Sequence, residues 1–167
     1  MRAASIAGDP FDLDLALAAA ATTSEAAAQP LDELLAIGLL RETGAAREFA
    51  FRHPLVREAL ELSMPAGSRL LAHERIADTL SCRGAPVLRL ARHVAETARP
   101  GDATSVELLL EAASQAQAYT PATAIRFFDA ALRLMDGKSG SRSASGPCWR
   151  SPIRCLPPAS LSARGLC

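Results

Sequence analysis

The stretch Glu48-Phe49-Ala50-Phe51-Arg52-His53-Pro54-Leu55-Val56-Arg57-Glu58-Ala59-Leu60 decides how the chain is read. Phe49 and Phe51 are two apart, so in an extended strand both rings face one side and can anchor a core. Pro54 ends the strand and suits the first position of a helix, where its missing N–H costs nothing. Leu55, Val56, Ala59 and Leu60 recur at helical spacing, which predicts an amphipathic helix directly after the strand. His53 falls on the junction. The proline after it calls for an extended backbone there, which leaves the imidazole free to turn away from the core.

Upstream of this stretch, Leu39-Leu40-Arg41 reads as a short strand and Glu42-Thr43-Gly44 as a turn, with a wing of about six residues at most. Met1 to Gly8 reads as the end of a helix begun earlier, broken by Asp9-Pro10. Asp12 can cap a second helix through about Ala21, with Leu13 and Leu17 stacked four apart. Ser24 is the expected cap of a third, in which Pro30 marks either a kink or the true start. Leu31, Leu34, Leu35 and Ile37 would be its buried face, and Gly38 its end. Helices, then two short strands around a turn, then a helix, is a winged-helix order.

Downstream, Pro65 and Gly67 separate a helix over 54–62 from another over about 67–81, which should bury Leu70, His73, Ile76, Ala77 and Leu80. Gly84-Ala85-Pro86 starts the next, with Val87, Leu90, Ala91 and Val94 on one face. Thr104 and Glu107 have capping-box spacing ahead of Val106, Leu109, Leu110 and Ala113. Thr120-Pro121 opens the last helix, where Ile125, Phe128, Leu132 and Met135 recur at helical spacing. Paired helices of about a dozen residues with Gly/Pro turns predict the start of an α-solenoid of tetratricopeptide type.

Composition agrees with a mainly α chain. Of 167 residues 49% are apolar and only 4% aromatic, so a core must be built from Ala and Leu. The net charge of zero hides an asymmetry: residues 1–137 hold 13 basic and 18 acidic side chains, whereas 138–167 hold five basic and no acidic ones. Residues 138–167 also carry seven Ser, four Pro and three Gly with no apolar periodicity, so a disordered basic tail is expected there. The loss of acidic residues, with the only Trp and three of the four Cys, favours a tail without function over a nucleic-acid-binding arm. Out-of-frame translation of a GC-rich gene would produce such a tail. No apolar run approaches the roughly 20 residues that span a bilayer, and the N-terminal apolar patch is too short for a signal peptide, so the cytoplasm is expected. Cys82, Cys148, Cys155 and Cys167 form no CxxC pair and no His lies near the three in the tail, which speaks against a zinc site.

The run Phe51-Arg52-His53-Pro54-Leu55-Val56-Arg57-Glu58-Ala59 resembles the strand–helix signature of the large ATP-binding regulators of the LuxR family, transcription activators within the STAND class of AAA-type ATPases. The resemblance covers roughly Ala3 to Met135. It implies a truncated winged-helix-like domain at 1–64 and the start of a helical repeat region at 65–137, followed by the tail at 138–167. In the family this segment sits between a nucleotide-binding domain and sensor repeats, which would be its partners, and relays the nucleotide state between them. A histidine in this strand–helix position reaches the phosphates of bound ADP there, so the resemblance makes His53 the matching residue, with Arg52 and Arg57 as flanking candidates. The chemistry is sound: an imidazole can donate an N–H to a phosphate oxygen and changes charge near neutral pH. The plainer reading is that His53 only caps the helix.

The chain itself is expected to hold no cofactor and to catalyse nothing. It has no GxxxxGK[ST] loop, its one Lys is Lys138, and no Ser sits in a G-x-S-x-G elbow. ATP or ADP would belong to the longer regulator. The rival reading is a free-standing winged-helix DNA binder. Against it, no Lys or Arg lies between Arg2 and Arg41, whereas Glu25, Asp32 and Glu33 are acidic, so the would-be recognition helix should repel a duplex. A STAND ATPase with kinase or cyclase output is the second alternative. An array cut at both ends would leave Leu13, Leu17 and Leu40 partly uncovered and Phe128 and Leu132 without a partner, favouring self-association.

Overall fold

Three phenylalanines hold the sheet together. Phe11 lies with its ring centroid 6.1 Å from that of Phe49 and 5.6 Å from that of Phe51, and Phe11 and Phe51 are 2% and 3% exposed. The computed structural model describes residues 1–136, and these are mainly helical with one three-stranded antiparallel sheet. The expected tail, Lys138 to Cys167, lies outside the described residues.

The elements follow in the order α1 (Arg2–Ala7), β1 (Phe11–Asp12), α2 (Leu13–Ala20), α3 (Ser24–Ala36), β2 (Leu40–Glu42), β3 (Glu48–Phe51) and α4 (Pro54–Leu62). The helices α5 (Ala66–Cys82), α6 (Val87–Thr97), α7 (Ala103–Gln117) and α8 (Pro121–Asp136) complete them. The sheet order is β1-β3-β2, with Phe11 opposite Phe49 and Leu40 opposite Phe51. The expected two-stranded hairpin is therefore a three-stranded sheet. A two-residue strand cannot show an alternating pattern, and β1 exists only because Phe11 and Asp12 pair with Phe49 and Glu48. Asp12 does cap α2, accepting from the Asp14 N–H at 2.7 Å.

Several helix faces turn differently from expectation. In α2 the buried residues are Leu15, Ala16 and Ala19, while Leu13 and Leu17 are half-buried. Leu40 is not uncovered; it is 2% exposed. Thr23 rather than Ser24 caps α3, accepting from the Ala26 N–H at 3.3 Å, and the helix runs unbroken through Pro30. None of its residues is buried: Leu31, Leu34 and Leu35 only lean on the core, and Ile37 is exposed. Gly38, at φ +72°, makes the left-handed turn that lets the chain double back from α3 into β2. In α4, Val56 and Leu60 pack inward, but Leu55 and Ala59 face out.

The remaining helices pack in sequence, α5 on α6, α6 on α7 and α7 on α8, while α5 also packs on α1 and α2. Their seams are built from alanine. Ala72, Ala77, Ala91, Ala112, Ala113 and Ala131 are each fully buried, and small side chains let helix axes approach closely. Leu70 and Leu110 are exposed instead of buried. Asp102, not Thr104, stands at the N-cap of α7; its carboxylate accepts from the Ser105 hydroxyl at 2.5 Å, so the expected capping box does not form. In α8 the buried stripe is Ala124, Phe127, Ala131 and Leu134. Ile125, Phe128, Leu132 and Met135, the stripe the sequence points to, face outward because α8 carries two apolar stripes and α7 covers the one richer in alanine.

Candidate functional site

The junction between β3 and α4 is shaped by its proline. His53 has an extended backbone at φ −128° and ψ 122°, as a residue before proline must, and stands at the N-cap of α4. Its imidazole is exposed and makes no cap hydrogen bond. The helix-cap reading therefore lacks the contact it needs. Arg52 is committed elsewhere: its Nε donates to the Gly38 carbonyl at 2.8 Å, tying β3 to the end of α3. Arg57 donates to Glu61 at 2.8 Å, one turn along α4, and to the Ser5 carbonyl of α1 at 3.3 Å. Of the three residues expected to act together, His53 alone has its side chain turned to solvent with no such tie.

Beside the junction lies a cleft of about 670 Å³, bordered by Pro54 at the start of α4. Arg57, Arg69, Arg92 and Arg126 reach it from α4, α5, α6 and α8. Asp9, Glu61 and Glu96 supply the carboxylates. The Asp9 carboxylate also accepts from the Phe51 N–H at 3.1 Å, which joins the cleft to the sheet. Among the described residues the ion pairs are Arg47–Asp14, Arg57–Glu61 and Arg83 with both Asp12 and Asp14, so Arg69, Arg92 and Arg126 belong to none. Partial burial, with Arg57 and Arg126 nearby, holds the Arg92 guanidinium below its ordinary value against the opposing pull of Glu61 and Glu96. His53 and Arg52 do not line this cleft; of the expected residues only Arg57 does.

His73, on the inner wall of the cleft, meets His93 across the α5–α6 seam with the two Nδ1 atoms 3.0 Å apart. Both are buried, at 5% and 3% exposure, with His73 on the face of α5 expected to be buried. At that separation one Nδ1–H donates and the other Nδ1 accepts, so the accepting ring must be neutral. Burial pushes both imidazoles down, His93 to about 3, with the neighbouring His73 and Arg92 adding to the effect. The pair is a seam element. Among the described residues no group of three or more His, Cys, Asp or Glu could hold a metal ion.

Neither the pair nor the arginine cleft was visible in the sequence, because the two histidines lie 20 residues apart and the four arginines 12 to 69 apart, and helix packing alone sets which ones meet. One signal was available: His73 keeps helical register with Ile76, Ala77 and Leu80, so an inward position followed from spacing. No helix among the described residues is long and apolar enough to cross a membrane. Comparison with protein-family profiles, with curated proteins and with solved structures found no match to the chain.

Proposed function

We propose that the chain acts as the winged-helix-like and first helical-repeat segment of a LuxR-type ATP-binding regulator, relaying the state of a nucleotide-binding domain to sensor repeats. The observation that carries this reading is the β3–α4 junction. An exposed imidazole with no cap hydrogen bond stands at the positive end of a nine-residue helix, in the sequence context Phe51-Arg52-His53-Pro54. A helix N-terminus attracts anions, and a histidine beside it can donate to a phosphate oxygen. The element order from α1 to α4, with the first strand adding to a hairpin in the order β1-β3-β2, suits a winged-helix-like unit. The consecutive packing of α5 to α8 suits the start of a helical repeat array.

In this reading the segment catalyses nothing and works in the cytoplasm. Its partners are the nucleotide-binding domain, on the His53 side, and the repeats beyond α8. Direct DNA binding is disfavoured by α3, which carries Glu25, Asp32 and Glu33 and no basic residue. Titration of the chain with the regulator's nucleotide-binding domain, loaded with ADP or with an ATP analogue, tests the proposal. Binding that is tighter in the ADP state is expected. Equal affinity in both states, or tight binding of the chain to duplex DNA at physiological salt, would defeat it.

A further inference from the structure

The arginine cleft calls for a ligand that the relay reading does not supply. Arg69, Arg92 and Arg126 converge on one concavity from three helices, and none is in an ion pair among the described residues. Four guanidinium groups, those three and Arg57, face the three carboxylates of Asp9, Glu61 and Glu96 in this cleft, so a net repulsion of one positive charge remains there. An anion among them would relieve that repulsion. A carboxylate offers two oxygens in one plane, whereas a phosphoryl group offers three around a tetrahedron and a charge of about −1.5 to −2. Guanidinium forks arriving from three directions match the second geometry better.

The cleft is also too large for a bare phosphate. About 670 Å³ falls within the range of cavities that hold small organic ligands. Besides the arginines and His73 its polar groups are carboxylates, Glu61, already bonded to Arg57, with Glu96 and Asp9. Carboxylates in the same cleft as a phosphate site reject a second anionic group and accept hydrogen bonds from hydroxyl groups.

We propose that the cleft between α4, α5, α6 and α8 binds a small hydroxyl-bearing phosphate monoester, its phosphoryl group on Arg69, Arg92 and Arg126 and its hydroxyls on Glu96 and Asp9. The site joins the sheet-bearing part, through Asp9 and Arg57, to the helices that follow, so an occupant would stiffen the seam between them. This holds whether or not the chain serves a nucleotide-gated regulator.

Calorimetric titration of the intact chain with inorganic phosphate, glycerol 3-phosphate and glycerol is the test. Saturable binding of both phosphates is expected, tighter for glycerol 3-phosphate, with none for glycerol. Arg92→Gln and Arg126→Gln should each weaken glycerol 3-phosphate binding about ten-fold or more, because each removes a charge-assisted contact. Arg99→Gln, outside the cleft, should leave it unchanged, and Glu96→Gln should weaken glycerol 3-phosphate more than inorganic phosphate. Arg126 is exposed, so that variant should fold, and its melting temperature checks this. Absence of saturable phosphate binding at millimolar concentration would overturn the proposal, as would an equal loss in Arg99→Gln. Binding of glycerol 3-phosphate no tighter than that of phosphate would overturn the hydroxyl assignment.

Discussion

The two imidazoles locked Nδ1 to Nδ1 across the α5–α6 seam make the helical part sensitive to acid. In the folded chain both are held neutral, His93 down to about 3, whereas in the unfolded chain each titrates near its ordinary value of 6.5. Below pH 6.5 the unfolded state therefore binds more protons than the folded one. Stability from this pair is fully present above pH 6.5 and is lost progressively as the pH falls towards 3. The charges that face the pair, Glu61, Glu96, Arg69, Arg89 and Arg92, are of both signs and shift the window without reversing it. At pH 5 the loss from His93 should be on the order of 2 kcal/mol. Urea unfolding between pH 8 and about pH 4 checks this, with a double variant, His73→Leu with His93→Leu, expected to lose most of the slope between pH 6.5 and 5. A slope that survives in the double variant would assign the acid sensitivity to other groups. At this scale the sequence was readable where bonding is local. Pro54 fixed the extended backbone of His53 and the two-residue spacing put Phe49 and Phe51 on one face, but nothing local shows that residues 73 and 93 touch.

Among the elements, α3 is weakly anchored. It has no buried residue and carries Pro30 in its interior, where a backbone N–H is missing from the ladder. Pro30→Ala should restore that bond and raise stability by about 1 kcal/mol or more. A fall in melting temperature would mean that the proline holds the chain in a shape alanine cannot keep. At the other end, α8 exposes Ile125, Phe128, Leu132 and Met135 along one stripe, at 60%, 38%, 56% and 61%. A continuous apolar stripe favours self-association. Sedimentation should show association that grows with concentration and is reduced by Phe128→Ser with Leu132→Ser, at a stability cost within about 1 kcal/mol. A monomer at every concentration would contradict this. Helix positions were legible here to within a residue or two, because Pro54, Pro86 and Pro121 punctuate them. Helix faces were not: with leucine and alanine spread all round α2, α7 and α8, periodicity cannot choose between stripes, and the neighbouring helix decides.

Taken whole, the chain joins a sheet-bearing part to a row of packed helices, with the arginine cleft on the seam and His53 on an open edge. The mainly α class and the β3–α4 turn followed from composition and from one thirteen-residue stretch. The third strand did not, since a two-residue strand is defined only by its partner. The relay account stands or falls on what His53 touches. With no cap hydrogen bond and an exposed ring, His53→Ala should leave the fold nearly as stable as before. In the regulator that the relay account proposes, the same change should weaken ADP affinity about ten-fold or more, through loss of a charge-assisted contact to phosphate. Measuring ADP affinity and melting temperature on one preparation separates the outcomes: weaker ADP binding at constant stability is the result the account predicts, and unchanged ADP affinity with lowered stability would contradict it.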